Sequence, residues 1–448
     1  MTRNRLSGLT SLELSRRGLL GLGAAVGVGA AVSACGGGSS GSPAGGGAEI
    51  AEGAYDGPKV DLAFWNGFTG GDGKFMKDMV ESFNSENENI NVKMNTLDWG
   101  DFYSKMPNAV ASGKGPDVAA MHLDQVATNA ARGVIQPLDN MTDALELTEG
   151  DFSEIVWNAG IYEDKRYAIP LDIHPLGFYY NKTLLQQAGM EEPPQDRESW
   201  EATLKALKGA GVDQPFWASA TFPAHLIFVT LLHQFGGSLF DEGAEKATFN
   251  SEEGVEALSW YISHIPEYSP PNVTQDADLT AFQQGRNALH WNGIWQIGNL
   301  DTTEGLEYGV APIPQIGSEP AVWASSHQLT VMRQPKPDDN KLHASRQFLD
   351  YLTEQSSTWA AAGQIPARNS ARESGEFTGL EGQSTLAEQL DYVVFPPTLP
   401  GIGDIPVPTY EQAVNEVVLG KAEPKAALDA AVKKADALLE DNRKKYTA

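Results

Sequence analysis

The sequence predicts an α/β fold in two domains, and three observations carry that expectation. Strand, glycine loop, helix and strand patterns succeed one another from Val60 to Met94, the beginning of an open, mostly parallel sheet. The part whose composition can bury a core starts near Pro58 and runs for about 390 residues, more than one ordinary core serves. Helical periodicities then recur to the C-terminus without an internal repeat.

Along the chain, Val60, Leu62 and Phe64 alternate with Asp61 and Ala63, as in a strand. Gly67, Gly70, Gly71 and Gly73 make a loop, and Phe75, Met79 and Phe83 recur at helical spacing over 74–84. Ile90, Val92 and Met94 alternate again. Ligands of such sheets bind at the carboxyl ends of strands, here the loop after Trp65. Residues 101–112 read as a helix, 116–121 as a short buried strand, 125–132 as a short helix and 133–138 as an outward turn. The run YAIPLDIHPLGFYY (167–180) is extended and apolar, with two prolines. Helices follow over 200–208, 224–235 (apolar enough to be buried on most sides), 254–265, 277–284 and 341–353. At the C-terminus Leu428, Ala431, Val432, Ala435, Leu438 and Leu439 form one apolar stripe opposite Lys, Glu and Asp, with Pro424 at its start.

The first 57 residues have a different character. Arg3 and Arg5 precede Arg16 and Arg17, and 19–32 is an uncharged Gly/Ala-rich stretch of about 14 residues, too short for a mature spanning helix. Ser33 and Ala34 precede Cys35, the only cysteine. This arrangement resembles a twin-arginine export signal fused to a bacterial lipoprotein cleavage site. The resemblance implies a signal over 1–34, a lipid on Cys35, and attachment at the outer face of the cell membrane. A lone thiol without an intramolecular partner on an exported chain favours the lipid. The Gly/Ser/Pro/Ala-rich residues up to 57 read as a flexible linker. Within it Gly37, Ser39 and Gly41 match a hydrolase elbow pattern, but no strand precedes them and no helix follows. The formal charge of −27 repels nucleic acid and anionic lipid, which excludes a nucleic-acid partner. Ten tryptophans and thirteen tyrosines are many for so acidic a chain and suit an aromatic-lined site.

Six segments, in order, resemble the extracellular solute-binding proteins of carbohydrate ABC importers, the family that includes maltose-binding proteins. They are FWNGFTGGDG (64–73), the stretch from Gly115 to Asp139, YAIPLDIHPLGFYYNKTLL (167–185), FQQGRNALHWNGIWQIGNL (282–300), YGVAPIP (308–314) and GQIPARNSA (363–371). The resemblance implies two lobes with a sugar cleft between them: 58–171 with 314–364, and 172–313 with 365–448. It also implies hinge closure, delivery of a mono- or oligosaccharide to permease subunits, a monomer and no cofactor. The chain lacks a G-x-x-x-x-G-K-[ST] loop, so ATP hydrolysis belongs to another protein.

A sugar site needs hydrogen-bonding groups around the ring and aromatics on its faces. The resemblance points to Asn66, Thr69 and Asp72 in the first loop, and to His122 and Asp124 after the third strand. Asp172 and His174 lie in the crossing strand. Trp295 matches the family's stacking residue, with Trp291 in the preceding strand, Phe222 (with Trp217 as competitor) from the second lobe, and Trp323 and His327 in the returning segment. Arg368 matches an arginine that donates to hydroxyls. Other readings are open for some of these: Asp72 or Asp124 as a helix cap, Trp291 as core, Arg368 as an ion-pair partner. The eight histidines look scattered, with no metal-ligand spacing, so no metal site is expected. A glycerophosphodiester or polyol ligand is the second reading, disfavoured because Arg368 is the only basic candidate. A glycoside hydrolase using Asp124 and Asp172 is the remote third. Asp172→Asn is expected to weaken binding and leave the melting temperature of the free form nearly unchanged.

Overall fold

Two sheets flanked by helices organise residues 53–446, the part of the chain described by the computed structural model. The expected signal, Cys35 and nearly all of the linker lie outside the described residues. The described residues begin slightly before Pro58. Tyr55 is buried, packs edge-on to His343, and its N–H donates to Gln347 Oε1 at 2.6 Å.

The predicted strand–loop–helix start is β1 (Val60–Asn66) followed by α1 (Asp72–Glu86) and β2 (Ile90–Thr96). Next come α2 (Trp99–Ala111), β3 (Val118–His122) and α3 (Leu123–Ala131). β1 pairs in parallel with both β2 and β3, so the carboxyl ends of β1 and β3 lie at the strand-order switch where α/β sheets bind ligands. Asp117 ties this edge together: its Oδ2 accepts from Ala63 N–H at 2.8 Å and from Lys341 Nζ at 3.0 Å.

The apolar run 167–180 divides between two sheets. Its first part is β4 (Ile169–Pro170) and its second is β5 (Asp172–Asn181). Among the helices that follow are α4 (Arg197–Gly209) and α5 (Ala224–Gln234), the latter buried along nearly its whole length as its apolar sequence requires. β5 then pairs antiparallel with β6 (Leu289–Gly293), β7 (Tyr308–Ala311) and β8 (Val322–Ser325). Directly after β8, β9 (His327–Val331) pairs antiparallel with β3 and β4, completing the first sheet in the order β2-β1-β3-β9-β4. Two short strands, β10 (Ile365–Pro366) on β5 and β11 (Val393–Val394) on β8, widen the second sheet. The terminal helix α6 (Pro424–Tyr446) buries Leu428, Ala431, Val432, Ala435 and Leu439, five of the six residues of its predicted stripe.

One boundary differs from the expectation. The return to the first sheet falls at Ser326, between β8 and β9, and not at 308–314, because β7 and β8 both pair with β5. The chain therefore crosses between the sheets at Leu171 and again at Ser326, in strands that lie side by side, and a third time between β9 and β10.

Candidate functional site

The two side-by-side crossings bring chemistry to one place. β3 ends at His122, β9 begins at His327, and these two residues face each other in the ladder register. On β5, Asp172 and His174 are two residues apart and so share one face of the strand, and His174 is registered opposite Ser325. Three histidines distant in sequence thus converge, which corrects the reading of the histidines as scattered. Periodicity carries no information about strand register, and register is what assembles them.

Asp172 is fully buried, and four donors face it. Its Oδ1 accepts from His327 N–H at 3.0 Å and lies 2.9 Å from His174 Nδ1. Its Oδ2 accepts from Trp359 Nε1 at 2.6 Å and lies 2.7 Å from His327 Nδ1. Burial alone would raise this carboxyl, but the nearby His327 and the bonds from both imidazoles outweigh it and hold the group well below the usual carboxylate range. Burial, with His327 close by, lowers His174 to about 4. Burial, with His327 and His174 close by, also holds His122 well below its ordinary value. His122 Nδ1 lies 2.7 Å from the Tyr103 hydroxyl, which also accepts from the His122 N–H at 2.9 Å.

Aromatic rings enclose this group. His174 stacks on His327 with centroids 4.1 Å apart, and His122 lies 5.1 Å from His327. Trp99, at the start of α2, stacks on His327 at 5.6 Å and lies 4.3 Å from His122. It can approach because residue 67 is glycine: a Cβ there would fall 2.0 Å from the Trp99 ring. Phe68 meets His327 and Trp359 edge-on or tilted at 4.8 and 4.9 Å. From the second sheet, Trp295 sits in the turn after β6, 6.1 Å from His174, 5.8 Å from Phe222 and 6.4 Å from Trp323. Trp323 itself lies 6.0 Å from His174. Gly293 leaves room for that indole, since a Cβ there would fall 2.0 Å from the Trp295 ring.

The other expected residues take varied places. Asp72 opens α1, buried, with Oδ2 accepting from Gln364 Nε2 at 3.2 Å and Oδ1 without a partner; burial raises its carboxyl to about 6. Asn66 is fully buried and shapes the loop, its Oδ1 accepting from Phe68 N–H at 3.2 Å and Thr96 Oγ1 at 3.0 Å. Thr69 is exposed. Asp124 is not the cap of α3, which begins at Leu123 behind His122; it is half-buried beside Gly403, and its carboxyl is raised to about 6, chiefly by burial. Trp291 does not belong to the site. It is 2% exposed and packs 5.1 Å from Trp200 and 6.0 Å from Phe216 and Trp260, in the second core, because it points to the opposite face of β6 from its neighbours. Trp217, the competitor of Phe222, lies under the Arg286 guanidinium at 5.1 Å. Arg368 stands over the Phe152 ring at 5.9 Å, near Asp350, so it packs there and is not assembled with the cleft rings. Trp99, Tyr103 and Trp359 were not foreseen; only the abundance of aromatic residues hinted at them.

Comparison with known proteins agrees with this architecture. The family profile described as bacterial extracellular solute-binding protein matches residues 68–358. The galactooligosaccharide-binding protein of Bacillus subtilis is 21% identical over 376 residues, covering 80% of this chain and 85% of that protein. The arabinooligosaccharide-binding protein of Halalkalibacterium halodurans is 28% identical over 252 residues, 54% and 55% of the two chains. Among solved structures, the GacH receptor of Streptomyces glaucescens, determined unliganded and with acarbose, superposes with a TM-score of 0.77 at 23% identity, covering 86% of this chain and 99% of that one.

Proposed function

We propose, for a chain that belongs to the bacterial extracellular solute-binding protein family, that it captures a mono- or oligosaccharide between its two sheets and delivers it to the permease of an ABC importer. The observation that carries this reading is the ring assembly contributed from both sides: Trp295, Phe222 and Trp323 from the second sheet and its surroundings, and Trp99 and Phe68 from the first. Aromatic faces of this kind take the apolar faces of a sugar, while Asp72, His122 and His174 offer polar atoms to its hydroxyls. The sugar-binding names of the relatives support the same class. Arg368, the single basic candidate for a phosphodiester, stands over Phe152 instead.

Binding without catalysis is part of the proposal. Asp172, one of the two carboxylates a hydrolase would need, is saturated by four donors, and such a group supports structure better than proton transfer. The lobes we propose follow the expected boundaries, with the return moved to Ser326. We place the protein outside the cell, held to the membrane through a lipid on Cys35 and acting as a monomer. No helix among the described residues is long and apolar enough to cross a membrane.

A thermal-shift screen against mono-, di- and trisaccharides, polyols and glycerophosphodiesters tests the reading. A ligand that binds the folded state alone raises the melting temperature with the logarithm of its concentration over Kd. A shift with one sugar series is the expected outcome. A shift with phosphodiesters alone would replace the sugar, and release of product from an oligosaccharide would replace binding with hydrolysis.

A further inference from the structure

We propose that His122, His174 and His327 form a binding site for one divalent transition-metal ion of the class imidazole prefers, zinc foremost, where the two sheets meet. The inference stands on this cluster and not on the sugar reading. One ring nitrogen of each histidine lies within 4.8 Å of those of the other two. Tetrahedral zinc with bonds of about 2.1 Å sets its nitrogens about 3.4 Å apart, so the rings need to close by roughly an ångström.

The hydrogen bonds decide which nitrogens are available. Nδ1 of His174 and of His327 each rest on a separate oxygen of Asp172, at 2.9 and 2.7 Å. An ionised carboxylate only accepts, so both imidazoles present N–H to it and keep Nε2 as a bare lone pair. His122 Nδ1 lies 2.7 Å from the Tyr103 hydroxyl, an oxygen that can accept from Nδ1–H and so leave Nε2 of His122 free as well. A histidine whose other nitrogen is held by a carboxylate or hydroxyl oxygen is the usual form of a metal ligand, because the outer bond fixes the tautomer and aims the ring. His174 supplies the second observation: it is 2% exposed, and its Nε2 has no partner. A polar atom so buried requires one.

The backbone makes the cluster rigid. His122 and His327 are ladder partners on β3 and β9, and His174 is held opposite Ser325 on β5. Three nitrogens without a carboxylate in the inner set suit zinc, nickel or copper over calcium or magnesium. Three protein ligands also leave a coordination position for water or a donor atom of a cleft ligand.

The test uses the full-length protein, stripped with a chelator and titrated calorimetrically with zinc chloride, then with cobalt chloride followed by visible absorption. The expected result is one zinc per chain and the intense bands of four-coordinate cobalt. His122→Ala, at the half-buried member, should weaken zinc binding about 100-fold or more, and Tyr103→Phe about tenfold or more. His233→Ala, on α5, should change neither. The wild-type titration decides alone if the variants do not fold: absence of saturable one-to-one binding overturns the proposal. So does stoichiometric binding that survives both His122→Ala and His174→Ala. Histidine variants that alter sugar affinity in a protein that never takes zinc would assign these nitrogens to sugar hydroxyls instead.

Discussion

Asp172 shows how one side chain can be legible in sequence while its partners are not. A carboxylate in an apolar strand needed a partner, and the structure supplies four donors, from the His327 backbone, both imidazoles and Trp359. It is internal scaffolding for the histidine cluster. Asp172→Asn puts an amide N–H₂ against donors, leaving at least one of them buried and unsatisfied, so the variant should lose about 3 kcal/mol of stability. This reverses the expectation of an unchanged melting temperature; urea melts of wild type and variant decide between them. Trp295 is the opposite case. Its ring touches Phe222, Trp323 and His174 across the junction, and no core depends on it alone. Trp295→Ala should reduce sugar affinity about tenfold or more with little change in the melting temperature of the free protein. Unchanged calorimetric binding would remove it from the site. Single positions of the site were readable where a residue type was out of keeping with its surroundings, as with Asp172 and the WNGIW run. The three-histidine cluster was not, because its members meet only through the pairing of β3 with β9 and of β5 with β8.

Elements follow their sequence signals closely where burial is one-sided: α1, α2, α5 and α6 all lie within a few residues of their apolar periods. What periodicity could not supply is which sheet a strand joins, so the short β8 and β9 were read as one returning segment when they belong to different sheets. Close approach between elements makes its own predictions. Gly293 ends β6 with a backbone that any residue adopts, φ −75° and ψ 158°, so the obstacle to a side chain there is the Trp295 ring alone. Gly293→Ala should turn that indole and weaken sugar binding without unfolding the second sheet; retained affinity would show that the ring is free to move. A second junction joins helix Ala277–Gln283 to β6 through Asp278 and His290, both buried, with Oδ2 and Nδ1 3.4 Å apart. Burial pushes Asp278 up to about 7 and His290 down to about 3, each toward its neutral form. A raised carboxyl contributes stability that is lost as pH climbs from about 4 to about 7, since the native state alone keeps the proton. A depressed imidazole contributes the reverse between about 3 and about 6.5, where the unfolded state binds the extra proton. The two slopes, each near 1.4 kcal/mol per pH unit, cancel across the shared window. Asp278→Asn removes the first, so the stability of the variant relative to wild type should rise as pH goes from 4 to 6.5. Parallel profiles would mean that the pair does not titrate this way.

At the scale of the molecule, two of the chain's three passages between its sheets, at Leu171 and Ser326, lie side by side, and the third falls between β9 and β10. Adjacent crossing strands of this kind are the geometry of a hinge. Away from the crossings, α3 faces the loop before the terminal helices. Val126 and Ala130 of α3 pack on the first-sheet side, whereas Ile402 and Ile405 pack into the second core. Three contacts join them: Gly401 N–H donates to Thr128 Oγ1 at 2.8 Å, Arg132 Nη2 to Asp404 at 2.5 Å, and Arg132 Nε to the Tyr446 hydroxyl at 2.8 Å. Contacts that exist only when the sheets are apposed hold a fraction of molecules ready for ligand, and apparent affinity scales with that fraction. The Arg132–Asp404 pair is open to solvent, Asp404 being 49% exposed, so its share is the modest one of a surface ion pair. Asp404→Asn should therefore raise the Kd for sugar about twofold to fivefold and leave the free protein's stability almost untouched. Because salt screens an exposed pair, wild type and variant should converge in affinity as ionic strength increases. Titrations at low and high salt measure both. A variant that binds as tightly as wild type at low salt would place the closing force elsewhere, in the rings around Trp295 and the histidines, and the α3 contact would then be a consequence of closure and not one of its causes.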